Sequence, residues 1–158
     1  MTIQRCGWCS DDPLYMAYHD LEWGQAVFTE AHLFEMLCLE GQQAGLSWIT
    51  VLKKREAYRQ HFFQYSITEI AALSDDDLML KLQDAGLIRH RGKLQAIRDN
   101  ARAWQKLKDA DINVVTWLWD FVAQQPIRND VPDYRIAPAQ TDASVAMSKA
   151  LKKNGFKF

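Results

Sequence analysis

The sequence predicts an all-α fold. Three observations carry that expectation: apolar residues recur at three- and four-residue spacing in most segments, glycines and prolines punctuate the intervals, and no stretch alternates apolar with polar as a half-buried strand does. With 158 residues, 48% of them hydrophobic and 25% charged, the chain is long enough for one sizeable core and reads as a single domain without internal repeats. No apolar run reaches the roughly 18 residues a membrane span needs, and no basic stretch followed by an apolar one opens the chain, so a cytoplasmic protein is expected.

The first stretch is an aromatic-rich arm with Cys6, Trp8, Cys9, Tyr15, Tyr18, His19, Glu22 and Trp23. Tyr15, Tyr18 and Glu22 are spaced to share one side of a turn or two of helix. Cys6, Cys9 and His19 are ligand types that zinc accepts, but a structural zinc takes four ligands and no second His/Cys cluster follows, so the residues alone favour no metal. An odd count of three cysteines without an export signal argues against a disulfide framework.

Leu33, Phe34, Leu37 and Cys38 then draw an apolar stripe along a helix capped by Thr29, with Glu40 one turn beyond Leu37 at the edge of the stripe. Gly41 and Gly45 loosen the backbone, and Ser47 caps a second helix that carries Trp48, Ile49 and Leu52 and runs to about His61. Its Lys53-Lys54-Arg55 cluster reads as a solvated face. By themselves these residues favour Glu40 as a solvated helix-end acid and Trp48 as a core aromatic.

Ile67, Ile70, Ala71 and Leu73 form a short helix, and Ser74 with Asp77 resembles a capping box for the next, which carries Leu78 and Leu82 and stops at Gly86. A long amphipathic helix starts near Gly92 with Leu94, Ile97, Ala101, Trp104 and Leu107. Between them, Leu87 to Arg91 makes a short hairpin for which two readings stand side by side. Its backbone amides, with Arg89, Arg91 and Lys93 beside them, can hold a phosphate oxygen, or it is an ordinary corner with basic residues in solvent. The net charge of −1 requires any nucleic-acid binding to come from such a local patch. A further helix holds Val114, Val115, Leu118, Phe121 and Val122, with Asp109 and Asp111 taken as caps and Pro126 as its end. An ordered or semi-ordered loop spans 126–140. Thr141 caps a last helix that ends at Lys152-Lys153-Asn154-Gly155.

Four pieces stand together in order and spacing: Cys6-Gly7-Trp8; Asp12-Pro13-Leu14-Tyr15 through His19-Asp20-Leu21-Glu22-Trp23-Gly24; Leu39-Glu40-Gly41-Gln42-Gln43-Ala44-Gly45-Leu46-Ser47-Trp48; and Asp84-Ala85-Gly86-Leu87-Ile88-Arg89-His90-Arg91-Gly92-Lys93. They resemble the DNA-3-methyladenine glycosylase I family, within the helix-hairpin-helix DNA glycosylases, from Cys6 nearly to the last residue. The resemblance implies a helix-hairpin-helix glycosylase fold and a monomeric hydrolase that flips a nucleotide from double-stranded alkylated DNA. It would cut the N-glycosidic bond and release free 3-methyladenine. Glu40 matches the carboxylate that meets the alkylated base and is the expected catalytic residue, selecting substrate or, alternatively, assisting water; Tyr18 matches a hydrogen-bonding wall; Trp8 and Trp48 match stacking surfaces; Tyr15 and Trp23 match the lining.

The same resemblance assigns DNA contacts to Gly86, Arg89, His90, Arg91, Gly92 and Lys93 in the hairpin. It places the segment Gln42 to Leu46, with Gln42, Gly45 and Leu46, where such enzymes wedge the duplex apart. Cys6 and His19 match two of four ligands of a structural zinc, whose other two, a His and a Cys, lie in a tail that family members carry beyond Gly155-Phe156-Lys157-Phe158. The expectation is therefore a domain lacking that tail, with a half site for zinc. A non-catalytic helix-hairpin-helix DNA-binding module or inactive fragment is the alternative, and an aromatic pocket for a free purine is a third.

Overall fold

A computed structural model describes residues 2–158, and among them there are helices and loops but no strand. The helices are α1 (Pro13–Leu21), α2 (Glu30–Gln42), α3 (Trp48–Tyr58), α4 (Ile67–Ala71), α5 (Asp75–Lys81), α6 (Arg91–Asp109), α7 (Val114–Asp120) and α8 (Asp142–Lys153). A π-helical turn, Arg59–Phe63, continues α3, and a 3₁₀ turn, Tyr134–Ile136, interrupts the loop before α8. The all-α expectation holds.

The amphipathic pattern predicted from Leu94 to Leu107 builds the centre of the molecule. It turns Leu94, Ile97, Ala101, Trp104 and Leu107 inward on α6, against which α2, α4, α5 and α7 pack. Trp104 meets Phe34 of α2 edge-on, with ring centroids 5.5 Å apart, and its indole N–H donates to Glu30 over 3.3 Å. Fully buried side chains such as Trp104, Phe34 and Phe62 each contribute about 1.5–3 kcal/mol of apolar burial. A second contact set joins α3 to α1 and α2, so α1 is carried on the α2–α3 pair at the edge of this core.

Helix ends follow side-chain chemistry, though not always at the expected residue. Ser74 and Asp77 form the predicted capping box, and Thr141 caps α8. Thr29 and Ser47 precede α2 and α3 as expected, but neither side chain bonds a helix amide; the Ser47 hydroxyl instead meets that of Thr50 at 2.7 Å. The helix expected to stop at Gly86 ends at Lys81. Asp109 only accepts from Gln105, whereas Asp111 lies in the left-handed region (φ 62°) and Ile112 N–H reaches back to Leu107 O, closing α6. Asn113 is the cap of α7.

Beyond α8, Gly155 (φ 91°) turns the chain so that Phe156 is buried. Buried Asn100 of α6 then holds Lys157 at both backbone groups, donating to its carbonyl over 3.2 Å and accepting from its N–H over 2.7 Å. Phe158 comes to rest edge-on against His90, with centroids 5.9 Å apart.

Candidate active site

The arm, α1 and the start of α3 bring the expected aromatics together. Asp12 accepts the Leu14 and Tyr15 amides and Pro13 starts α1, which sets Tyr15, Tyr18 and His19 facing the arm. Trp8 lies 5.2 Å from Tyr15, 6.4 Å from Tyr18 and 5.4 Å from Trp23 between ring centroids. Tyr18 in turn lies 5.6 Å from Trp48, at 51°. Tyr18 and Trp48 are buried at the inner end; Trp23 is exposed at the rim. The Trp48 indole N–H is buried and has no acceptor among the described residues.

Glu40, in the last turn of α2, lies near enough to Tyr18 for its charge to act on the phenol. Its charge is, after burial itself, the next cause holding the Tyr18 phenol protonated, with its pKa pushed up to about 12. Among the described residues the Glu40 carboxylate has no ion pair and no hydrogen bond. It is reachable by solvent yet surrounded by protein, and that desolvation raises its pKa above the ordinary carboxylate range. An acid at the margin of the core was legible in the sequence; its lack of any countercharge was not.

The corner after α2 is tight. Gly45 adopts φ 77°, Leu46 N–H donates to Gln43 O over 2.7 Å, and Leu46 is 41% exposed at the tip. Gln42 lies elsewhere than the wedge expectation placed it: it is 1% exposed, accepting from Tyr58 Oη over 2.9 Å and donating to Lys93 O over 3.0 Å. An amide with its hydrogen bonds formed inside the core does not face a duplex.

In the hairpin, Arg89 and Arg91 are exposed beside the start of α6, where the first amides point outward. His90 is exposed and also caps α6, accepting Lys93 N–H at Nδ1 over 3.1 Å. Gly92 sits against the His90 ring, where a Cβ would come within 3.1 Å. Lys93 turns inward: it is 5% exposed and its ammonium donates to Gln42 O over 2.8 Å and Ala44 O over 2.6 Å. Gly86 belongs to packing, since a Cβ there would come within 3.0 Å of Ala57 on α3.

A profile of the methyladenine glycosylase family matches residues 8–158. The chain belongs to the methyladenine glycosylase family. It is 54% identical over 156 residues to DNA-3-methyladenine glycosylase 1 of Escherichia coli, spanning 99% of this chain and 83% of that protein. A crystal structure of 3-methyladenine DNA glycosylase I superposes with a TM-score of 0.94 at 53% identity, over 98% of this chain and 85% of that one. A structure described as the basis of 3-methyladenine recognition by the Staphylococcus aureus enzyme superposes at 0.91 with 34% identity, over 97% and 81%.

Within this methyladenine glycosylase, the metal expectation meets a partial donor set. His19 Nε2 faces the Cys6 segment, accepting Cys6 N–H over 3.2 Å, while Nδ1 is 2.9 Å from Asp20 Oδ1, the arrangement that orients a ligating imidazole. Among the described residues no group of three or more His, Cys, Asp or Glu side chains converges. Two donors are half of a structural zinc site, so the residues present do not complete one. The Lys53-Lys54-Arg55 cluster is more than the solvated face it was expected to be. Arg55 is largely buried and grips Glu22 at the end of α1, a role that only the fold could reveal.

Proposed function

We propose that this chain is a monofunctional DNA-3-methyladenine glycosylase of base-excision repair, acting on double-stranded alkylated DNA. The observation that carries the reading is Glu40, a desolvated carboxylate without a countercharge among the described residues, whose charge acts on the Tyr18 phenol, the ring that stands between Trp48 and Trp8. An adenine alkylated at N3 in DNA is cationic, so its glycosidic bond is weak and the enzyme has mainly to select it. Indole and phenol faces attract a cation by about 0.5–2 kcal/mol each, depending on desolvation, and normal adenine forfeits that attraction. Glu40 complements the positive charge and accepts from the exocyclic amine, while the unpartnered Trp48 N–H offers a donor.

Extruding the base costs a few kcal/mol. Leu46 at the corner and the hairpin amides with Arg89 and Arg91 supply the wedge and the phosphate grip. The N9–C1′ bond then breaks with its electron pair leaving on the base, which departs as neutral 3-methyladenine. A water oxygen bonds C1′ and loses its proton to solvent, leaving an abasic sugar. The name and 54% identity of the Escherichia coli relative support this activity. Release of 3-methyladenine from methylated duplex DNA is the test: a folded chain that binds DNA but releases no base from any alkylated substrate would make it a binding module.

A further inference from the structure

The corner that follows α2 and the hairpin that precedes α6 are joined by residues 51 positions apart in sequence. Three buried side chains make the connection. Gln42 donates from Nε2 to Lys93 O over 3.0 Å and accepts at Oε1 from Tyr58 Oη over 2.9 Å, and the same phenol oxygen accepts Ile88 N–H over 3.2 Å. Lys93 closes the circuit with its bonds of 2.8 Å to Gln42 O and 2.6 Å to Ala44 O. Each of these bonds either spans corner and hairpin directly or reaches them through Tyr58 on α3.

Lys93 differs from its basic neighbours. Arg89 and Arg91, on the same hairpin, leave their charges in water. Lys93 instead takes its ammonium into the core without a carboxylate partner among the described residues, and burial lowers its pKa. Among the described residues its compensation is the pair of carbonyls at the negative end of α2. A buried lysine is a costly way to stabilise a helix end, but it is an effective way to fix two loops relative to each other, because both acceptors lie on the corner and the lysine backbone lies in the first turn of α6.

We infer that Lys93, Gln42 and Tyr58 are positioning residues that make the corner and the hairpin one rigid duplex-opening unit, so that the grip on phosphates sets where Leu46 enters. The inference rests on the glycosylase reading, since it assigns the unit to base extrusion. A wedge that yields relative to its grip cannot transmit force to the stacked bases, so loosening the strut penalises a paired lesion and spares an unpaired one.

The test compares 3-methyladenine release from methylated duplex and from the same DNA as single strand, together with binding of free 3-methyladenine followed by tryptophan quenching. For Lys93→Met, kcat/KM on the duplex is expected to fall by about ten- to a hundredfold, while the single-strand value and free-base binding stay within about threefold. Tyr58→Phe removes only the hydroxyl and shows the same pattern at smaller amplitude; if Lys93→Met fails to fold, Tyr58→Phe decides. Equal loss on both substrates, weakened free-base binding, or no loss on the duplex overturns the inference. An unaltered chain inactive on both substrates overturns the glycosylase reading itself.

Discussion

Arg55 on α3 holds Glu22, the residue that ends α1, through two hydrogen bonds of 2.6 and 2.8 Å. The pair lies one turn past Tyr18, so it ties the end of the helix that carries that phenol to α3, which carries Trp48. Glu22 carries a lowered pKa, chiefly from its hydrogen bonds with Arg55. Arg55→Met is expected to cost about 1.5–3 kcal/mol of stability, the range for a hydrogen-bonded charge left partly buried, and to weaken free 3-methyladenine binding. Denaturant unfolding and fluorescence titration measure the two. A depressed acid pKa contributes stability above the unfolded value that is lost as pH falls through the folded one, so this contribution disappears on the acid side.

Glu40 has the opposite sign. Its folded pKa is raised, so the folded state binds the proton more readily than the unfolded chain, and stability declines as pH rises from the ordinary glutamate range through the folded value. Glu40→Gln removes a desolvated charge and is expected to be as stable as the parent or more so at pH 7. It is also expected to lose tenfold or more in kcat/KM for 3-methyladenine, about 1.4 kcal/mol or more of transition-state stabilisation. Matched melting curves and release rates across pH 4–8 check both; equal activity would remove Glu40 from the mechanism.

At the corner, Gly45 combines a left-handed backbone with open space around its Cα. Gly45→Ala meets no neighbour, so its cost is the backbone strain alone, about 1–2 kcal/mol. Leu46→Ala removes an exposed side chain and is expected to shift stability by about 0.5 kcal/mol or less while reducing release from duplex DNA. Loss of activity with an unchanged melting temperature identifies the wedge.

Arg89 and Arg91 present their charges at the start of α6 and Lys93 does not. For Arg91→Ala the slope of log affinity against log salt is expected to flatten by about one unit for DNA of any sequence. An unchanged slope would leave the hairpin as surface.

The arm should not need a metal. Arg5 grips Asp20 through bonds of 2.7 to 3.1 Å, which with His19 holds the Asp20 pKa down at about 2, and His19 holds Cys6 by its backbone. Chelation during unfolding is expected to leave the melting temperature unchanged, and elemental analysis to give less than one zinc per chain. Stoichiometric zinc would instead make Cys6 and His19 ligands.

Much of this was legible in the residues because it depends on local rules. Spacing on Leu94 to Leu107 marked α6, and Ser74 with Asp77 marked the start of α5. The pocket was legible only through the order and spacing of whole motifs, because Trp8, Tyr18, Glu40 and Trp48 come from the arm and from three separate helices that no periodicity relates. Not legible were the side chains whose partners are distant in sequence. Gln42 and Lys93 read as polar residues of a loop and a basic cluster, and their burial follows from the meeting of α2 with α6. Arg55 read as a solvated charge because Glu22 is far from it in sequence.

Of the pocket aromatics, Tyr15 and Tyr18 stand on α1 and Trp48 on α3, whereas Trp23 lies in the turn just past α1 and Trp8 in a turn of the arm, outside any helix. The arm that carries it is fastened to α1 by the Arg5, Cys6 and His19 contacts, and its amides lack a helical ladder. Its opening free energy is consequently local and smaller than that of the core. Residues 5–9 should exchange their amide hydrogens before α6 does. An arm that opens before the core would let a spent base leave past Trp8 while the rest of the molecule remains fastened to the DNA.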